Sequence, residues 1–343
     1  QSSHQSVYIL QVIDSFLNPA KEILSTIASG DPSGAFLDQM LKDAALFRHG
    51  FIESGGFGAV LQLFTISGSE AEEGQNGKEM SGAFALRIIK RCFLGDENVS
   101  AGIGADSVAG VLDDLGRNLL GTLSHPGQLL LSLTSMVRAG RRMADIAILD
   151  VIQMLRLVLL SDKGMTEVFL ALPNGVSEEF LISLLLWDRR SGTYVAPAAA
   201  DTSSRIRRWA QELTLSMPLV SQHALPWLIK ALDRIDCNSD STEEFFSVMQ
   251  VLVEGGDDNI VSISVEQLRE LSTAVCRKIA SIPRNEAGFD QAPAEVEKGV
   301  LCGCFRLLRE LVKSGGGVAV REGVQFLLDG FNAKRWSQKQ YQC

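Results

Sequence analysis

Almost every patterned stretch of this chain repeats its apolar residues with a helical period, and no stretch alternates long enough to build a sheet. Apolar side chains spaced three and four residues apart form a stripe down one side of a helix, which must be buried against another helix. The clearest instance is Phe51-Ile52-Glu53-Ser54-Gly55-Gly56-Phe57-Gly58-Ala59-Val60-Leu61-Gln62-Leu63-Phe64. It ends one segment, turns on two glycines and opens an amphipathic helix with Phe57, Val60, Leu61 and Phe64 on one face. Stop-turn-start units of this kind recur in chains that stack helices into superhelical rods.

The same reading places helices over 7–17, 21–28, 33–47, 57–66, 80–94, 105–123, 127–139, 144–161, 164–172 and 176–188. Further helices are expected over 204–216, 219–235, 241–254, 264–282, 294–313 and 318–331. The expected fold class is all-α: an armadillo- or HEAT-like α-solenoid of stacked antiparallel helices, forming one elongated domain over 1–343. Stretches near 67–79, 189–203 and 284–293, without a sustained apolar stripe, read as mobile loops. The expected core includes Phe57, Val60, Leu61, Phe64, Trp209, Leu213, Phe245, Met249, Leu307 and Leu311.

Composition narrows the function. Of 343 residues, 46% are hydrophobic but only 7% aromatic, which suits helix-on-helix packing. A net charge of −9 argues against nucleic acid, whose binding needs a basic face, and against an anionic membrane surface as partner. The most apolar run, Ile146 to Leu160, is too short to span a bilayer and carries Asp150, Gln153 and Arg156. Six cysteines without a disulfide-type spacing point to a reducing, intracellular compartment, cytoplasm or nucleus. No signal peptide is visible, and the initial Gln suggests a fragment of a longer protein.

No catalytic, metal or cofactor constellation emerges, and none is expected. Cys302 and Cys304 lie two apart on a helix, so their thiols diverge by about 200° and cannot grip one ion. Cys304 then belongs to the core. Cys92 has Lys90 and Arg91 beside it but sits in an apolar helix. His4, His49, His125 and His223 form no i, i+4 pair, and no G-x-S-x-G elbow exists. Gly102-Ile103-Gly104 and Gly315-Gly316-Gly317 lack a Walker lysine and read as caps and turns. The candidate partner-binding residues are charged: Arg205, Arg207 and Arg208 on one helix, and Glu70, Glu72, Glu73, Asp257 and Asp258 in loops. Against the basic cluster stands the stripe Ile206, Trp209 and Leu213, which makes its arginines an ordinary solvent face.

Three phrases resemble one family. The Phe51–Phe64 unit is similar to an F-x-x-x-G-G-h-x-x-h-h-x-x-F phrase in the armadillo-like, non-catalytic region of giant ubiquitin-specific proteases of the fat-facets type. Glu244-Phe245-Phe246-Ser247-Val248-Met249-Gln250-Val251-Leu252 resembles a phrase near the end of that region, and the helix from Gly299 to Leu311 resembles one that follows. The family's Cys box, G-L-x-N-x-G-x-x-C-Y, is absent, since no Cys here precedes a Tyr. The resemblance implies a non-catalytic scaffold segment of a cysteine deubiquitinase, whose partners would be ubiquitin or ubiquitinated substrates. Two other classes stay open: a solenoid of another ubiquitin-system protein such as a ligase or of a transport adaptor, and a self-contained hydrolase.

Overall fold

A computed structural model describes residues 3–19, 34–69, 75–94, 112–123, 125–139, 145–161, 163–187, 199–235, 242–254, 263–281, 295–314, 317–318 and 320–325. Among the described residues the fold is all-α, with no strand. Its contacts divide the chain into two compact units, Gln1–Phe180 with Tyr194–Arg205, and Leu181–Thr193 with Ile206–Cys343.

In the first unit α1 (Ser3–Leu17), α2 (Gly34–Glu53) and α3 (Gly56–Ser69) precede α4 (Gln75–Leu94). Then come α5 (Asp114–Gly121), α6 (Pro126–Ala139), α7 (Asp145–Ser161) and α8 (Lys163–Leu170). The glycine turn between α2 and α3 forms as its sequence requires, with a separate task for each glycine. Gly55 has φ +80, a left-handed conformation that ends a helix and that L side chains resist. Gly56 lies under the Phe51 ring, where a Cβ would collide with the aromatic carbons. Phe57, Val60 and Phe64 are then buried, while Leu61 is only half-buried.

The helix α4 packs against α1, α3, α5 and α7. Ala85, Leu86, Ile88, Ile89, Cys92, Phe93 and Leu94 are all buried, so α4 is covered on every side along its C-terminal half. Its basic residues reach outward to neighbouring helices. Arg87 pairs with Asp14 at 2.7 Å, and Arg91 Nε donates to the Leu17 carbonyl at 2.8 Å. These two contacts advance together, so α1 and α4 run parallel. Lys90 pairs with Asp150 of α7 at 2.5 Å.

The second unit contains most of α10 (Ala199–Leu215), which α9 (Val176–Leu185) precedes. It continues through α11 (Pro218–Ala231), α12 (Glu243–Glu254), α13 (Val265–Ser281) and α14 (Glu295–Lys313). Its register can be read from side-chain contacts. Arg207 meets Glu244 at 2.8 Å and Gln211 meets Ser247 at 3.0 Å, so α10 and α12 run parallel. Gly299 lies opposite Thr242, Gly303 lies under the Phe246 ring, and Ser314 Oγ donates to the Val253 carbonyl at 3.0 Å, so α12 and α14 are parallel too. Between these rows, Arg277 of α13 pairs with Asp233 at 3.1 Å, and Lys278 donates to the Ile235 carbonyl, both just beyond the end of α11.

Several expected boundaries shift. Asp113 is an extended N-cap whose carboxylate accepts from the Gly116 amide at 2.7 Å, so the described helix within 105–123 starts only at Asp114. An Asp in that position satisfies an orphan amide of the first turn, which favours starting the helix there. Helix extends into the stretches expected as loops at 67–79 and 189–203, since α3 reaches Ser69, α4 starts at Gln75 and α10 starts at Ala199, and the rest of both stretches lies outside the described residues. Gln, Lys, Glu and Ala are good helix formers, and helix does not need an apolar stripe in its first turn. The expected helix 21–28 and loop 284–293 lie outside the described residues. Among the described residues no single helix is long and apolar enough to cross a membrane.

Candidate functional site

Two of the described thiols, Cys92 and Cys276, are placed against reactivity. Cys92 is buried in α4, and burial pushes its pKa up to about 12, although Arg48 and Arg91 pull the other way. A thiol held that high has almost no thiolate at neutral pH, the reverse of what a nucleophile needs. Burial also raises the Cys276 thiol, against a smaller opposing pull from the Ser272 side chain. Cys302 is exposed and Cys304 buried, on opposite sides of α14 as their spacing requires. His49 lies 3.2 Å from Glu53, and His223 stacks on Trp227 at 6.1 Å. Among the described residues, no group of three or more His, Cys, Asp or Glu could hold a metal ion.

The basic candidates on α10 have different surroundings. Arg205 is half-buried and Arg208 exposed. Arg207 donates to Glu244 at 2.8 Å and to the Trp187 carbonyl at 3.1 Å, so its charge is neutralised within the second unit. Ile206, Trp209 and Leu213 are buried, the stripe that the sequence indicates. Glu70, Glu72, Glu73, Asp257 and Asp258 lie outside the described residues.

A groove of about 360 Å³ opens between α3 and α6. Phe57, Leu61 and Leu129 make its apolar floor, and Gln62, His125 and Gln128 stand among its polar lining. None of its lining residues is Asp, Glu, Lys or Arg. An amide side chain offers a donor and an acceptor together, the same pair that a peptide group offers. The arrangement suits an apolar side chain entering between polar contacts. Only a weak sign of it is legible in the sequence. Leu61 belongs to the apolar stripe of α3, while Gln62 and Gln128 look like solvent-facing positions until α3 and α6 come together.

A buried polar cluster lies elsewhere in the first unit. Arg48 of α2 donates from Nε and Nη2 to the Cys92 carbonyl at 3.2 and 2.5 Å. Its Nη1 and Nη2 also reach the Asp113 carboxylate at 2.5 and 2.8 Å. Cys92 O is one of the last carbonyls of α4, which lack partners within the helix, so Arg48 caps α4 and clamps the entry to α5. Burial raises the Asp113 carboxyl, but the hydrogen bond from Arg48, the Gly116 amide and the nearby Arg48 and Arg117 charges outweigh it and hold it below the usual carboxylate range. Its partners are all structural, so the cluster positions helices.

No protein-family model matches the chain, and neither does any curated protein or solved structure.

Proposed function

We propose that the chain is a non-catalytic protein-interaction scaffold, with helices stacked as armadillo- or HEAT-like repeats within each unit. The observation that carries this reading is the repeated parallel register between non-consecutive helices. In the second unit α10, α12 and α14 run parallel, with α11 and α13 intervening in sequence. Helices that return to the same direction after a short excursion are the elementary step of a helical repeat, and each layer buries the face its predecessor leaves open. The buried, protonated thiols of Cys92 and Cys276 support a role without nucleophilic chemistry of their own. The neutral groove between α3 and α6 is shaped to receive a partner's side chain.

Resemblance to the helical region of giant ubiquitin-specific proteases makes ubiquitin, or a ubiquitinated protein, the class of partner, and an intracellular setting the place. The test is a titration of the full chain with ubiquitin and with ubiquitin chains, read by biolayer interferometry, beside a ubiquitin–fluorophore turnover assay. Saturable binding without turnover is expected, weakened by Leu61→Arg in the groove. Turnover that disappears on replacing a cysteine would overturn the scaffold reading. Absence of binding to every ubiquitin form would remove ubiquitin as the partner.

A further inference from the structure

We propose that the outward side of α14 docks an amphipathic helix whose apolar stripe is flanked by acidic residues. The proposal rests on the stacked-repeat reading and adds the chemistry of the partner at this edge.

From Phe305 onward, α14 sorts its charges by sign. Between Phe305 and Lys313 the sequence holds three bases, Arg306, Arg309 and Lys313, and one acid, Glu310. The Glu310 side chain is only 2% exposed and is held by Arg309 Nη2 and Lys313 Nζ, each at 2.8 Å. Arg309 and Lys313 keep more than half of their own side chains in solvent, and Arg306 is exposed. One negative charge turned inward against three outward bases leaves this face net positive, in a chain whose formal charge is −9.

The apolar part of the face is equally specific. Phe305 is 58% exposed and Val312 is 53% exposed, two turns apart on one side of α14. Gly299, Gly303 and Ser314 mark the side that faces α12. At about 100° per residue, Phe305 and Val312 project roughly opposite to that side. The α12–α14 contact shows how such an edge is covered. Phe246 of α12 projects from its helix, and Gly303 of α14 leaves room for the ring. Phe305 stands at the far edge of the same row and remains exposed.

An aromatic and a branched aliphatic residue bordered by three bases on the edge toward α12 call for an apolar stripe with a carboxylate flank along one edge of the occupant. Arg306, Arg309 and Lys313 follow one another at three- and four-residue steps, the spacing at which Glu side chains recur along one side of a helix. Helix-in-groove recognition uses the same geometry.

The probe is a synthetic amphipathic peptide of roughly five helical turns. It carries a Leu stripe flanked by Glu, and a second version has Lys in place of each Glu. Fluorescence anisotropy with the full chain reads the affinity, and a thermal melt by circular dichroism verifies that each surface variant folds. The Glu peptide is expected to bind about tenfold or more tightly than the Lys peptide and to weaken as salt rises. Phe305→Ser should weaken it by about tenfold, and Arg306→Glu should weaken it and flatten its salt dependence. Equal binding of the two peptides overturns the acidic partner, and Glu-peptide binding indifferent to Phe305→Ser overturns the site. Phe305-dependent binding to vesicles of anionic lipid, without binding of the Glu peptide, would replace the helix by a membrane surface and refute the proposal. None of these failures touches the ubiquitin titration or its Leu61→Arg control, so the scaffold reading stands or falls separately.

Discussion

Replacing Arg48 by Met keeps most of the aliphatic stem and deletes the guanidinium, which isolates the cost of the clamp between α2, α4 and α5. The side chain is buried, and its removal strands the Cys92 carbonyl and half of an ion pair with Asp113. Breaking a fully buried pair costs about 3–5 kcal/mol. Asp113 is 34% exposed, so water takes up part of its charge and the pair's share is smaller. Adding a stranded buried carbonyl, at about 1–3 kcal/mol, brings the expected loss to about 3–4 kcal/mol. Asp113→Asn should cost less, about 1–2 kcal/mol, because Asn also caps helices and Arg48 keeps the Cys92 carbonyl.

Urea unfolding followed by far-ultraviolet circular dichroism, on both variants and the double variant, gives the coupling between them. It should be about 1–2 kcal/mol and stabilising. The pH dependence provides an internal control. The Asp113 carboxyl titrates lower in the folded protein than its ordinary value of 3.8. Its stabilisation is therefore complete above that value and is lost as pH falls through the folded pKa. The gap between the native chain and Arg48→Met should stay constant from neutral pH to about 4 and narrow below it. A gap under about 1 kcal/mol, or one that does not narrow in acid, would refute the assignment of Arg48 as a charged clamp.

Other perturbations probe the packing directly. Gly303→Val should destabilise by about 1–3 kcal/mol in a urea melt, because its side chain must displace the Phe246 ring, whereas Gly58→Ala, in open space on α3, should be neutral or stabilising. Phe64→Ala should lose about 3–5 kcal/mol, and Leu61→Ala distinctly less, since Leu61 is only half-buried. At pH 8, iodoacetamide followed by peptide mass spectrometry should alkylate exposed Cys302 promptly. Cys92, with its pKa pushed up to about 12, should react only after denaturation.

What the sequence decided by itself is whatever depends on one helix and its nearest turn. The two-glycine break after Phe51 is local backbone chemistry, and Gly55 takes the left-handed conformation that such a break requires. The stripes Ile206, Trp209, Leu213 and Val300, Cys304, Leu307, Leu311 are fixed by helical period and are buried. The divergence of Cys302 and Cys304 follows from the same period. Other features depend on which neighbour covers a given side, and these emerge only when distant helices pack together. Arg48 meets the Cys92 carbonyl and Asp113 across 44 and 65 residues, and no periodicity links positions so far apart. Leu61 belongs to the apolar stripe of α3, yet it lies in the groove floor because α6 packs beside α3 without closing over it. Glu310 reads as an ordinary solvent-facing acid. The packing of α14 buries it between two bases, so the outward face becomes positive in an acidic chain. A helical period fixes the angle between side chains, while the direction of the core is set by the helices that arrive from elsewhere in the chain.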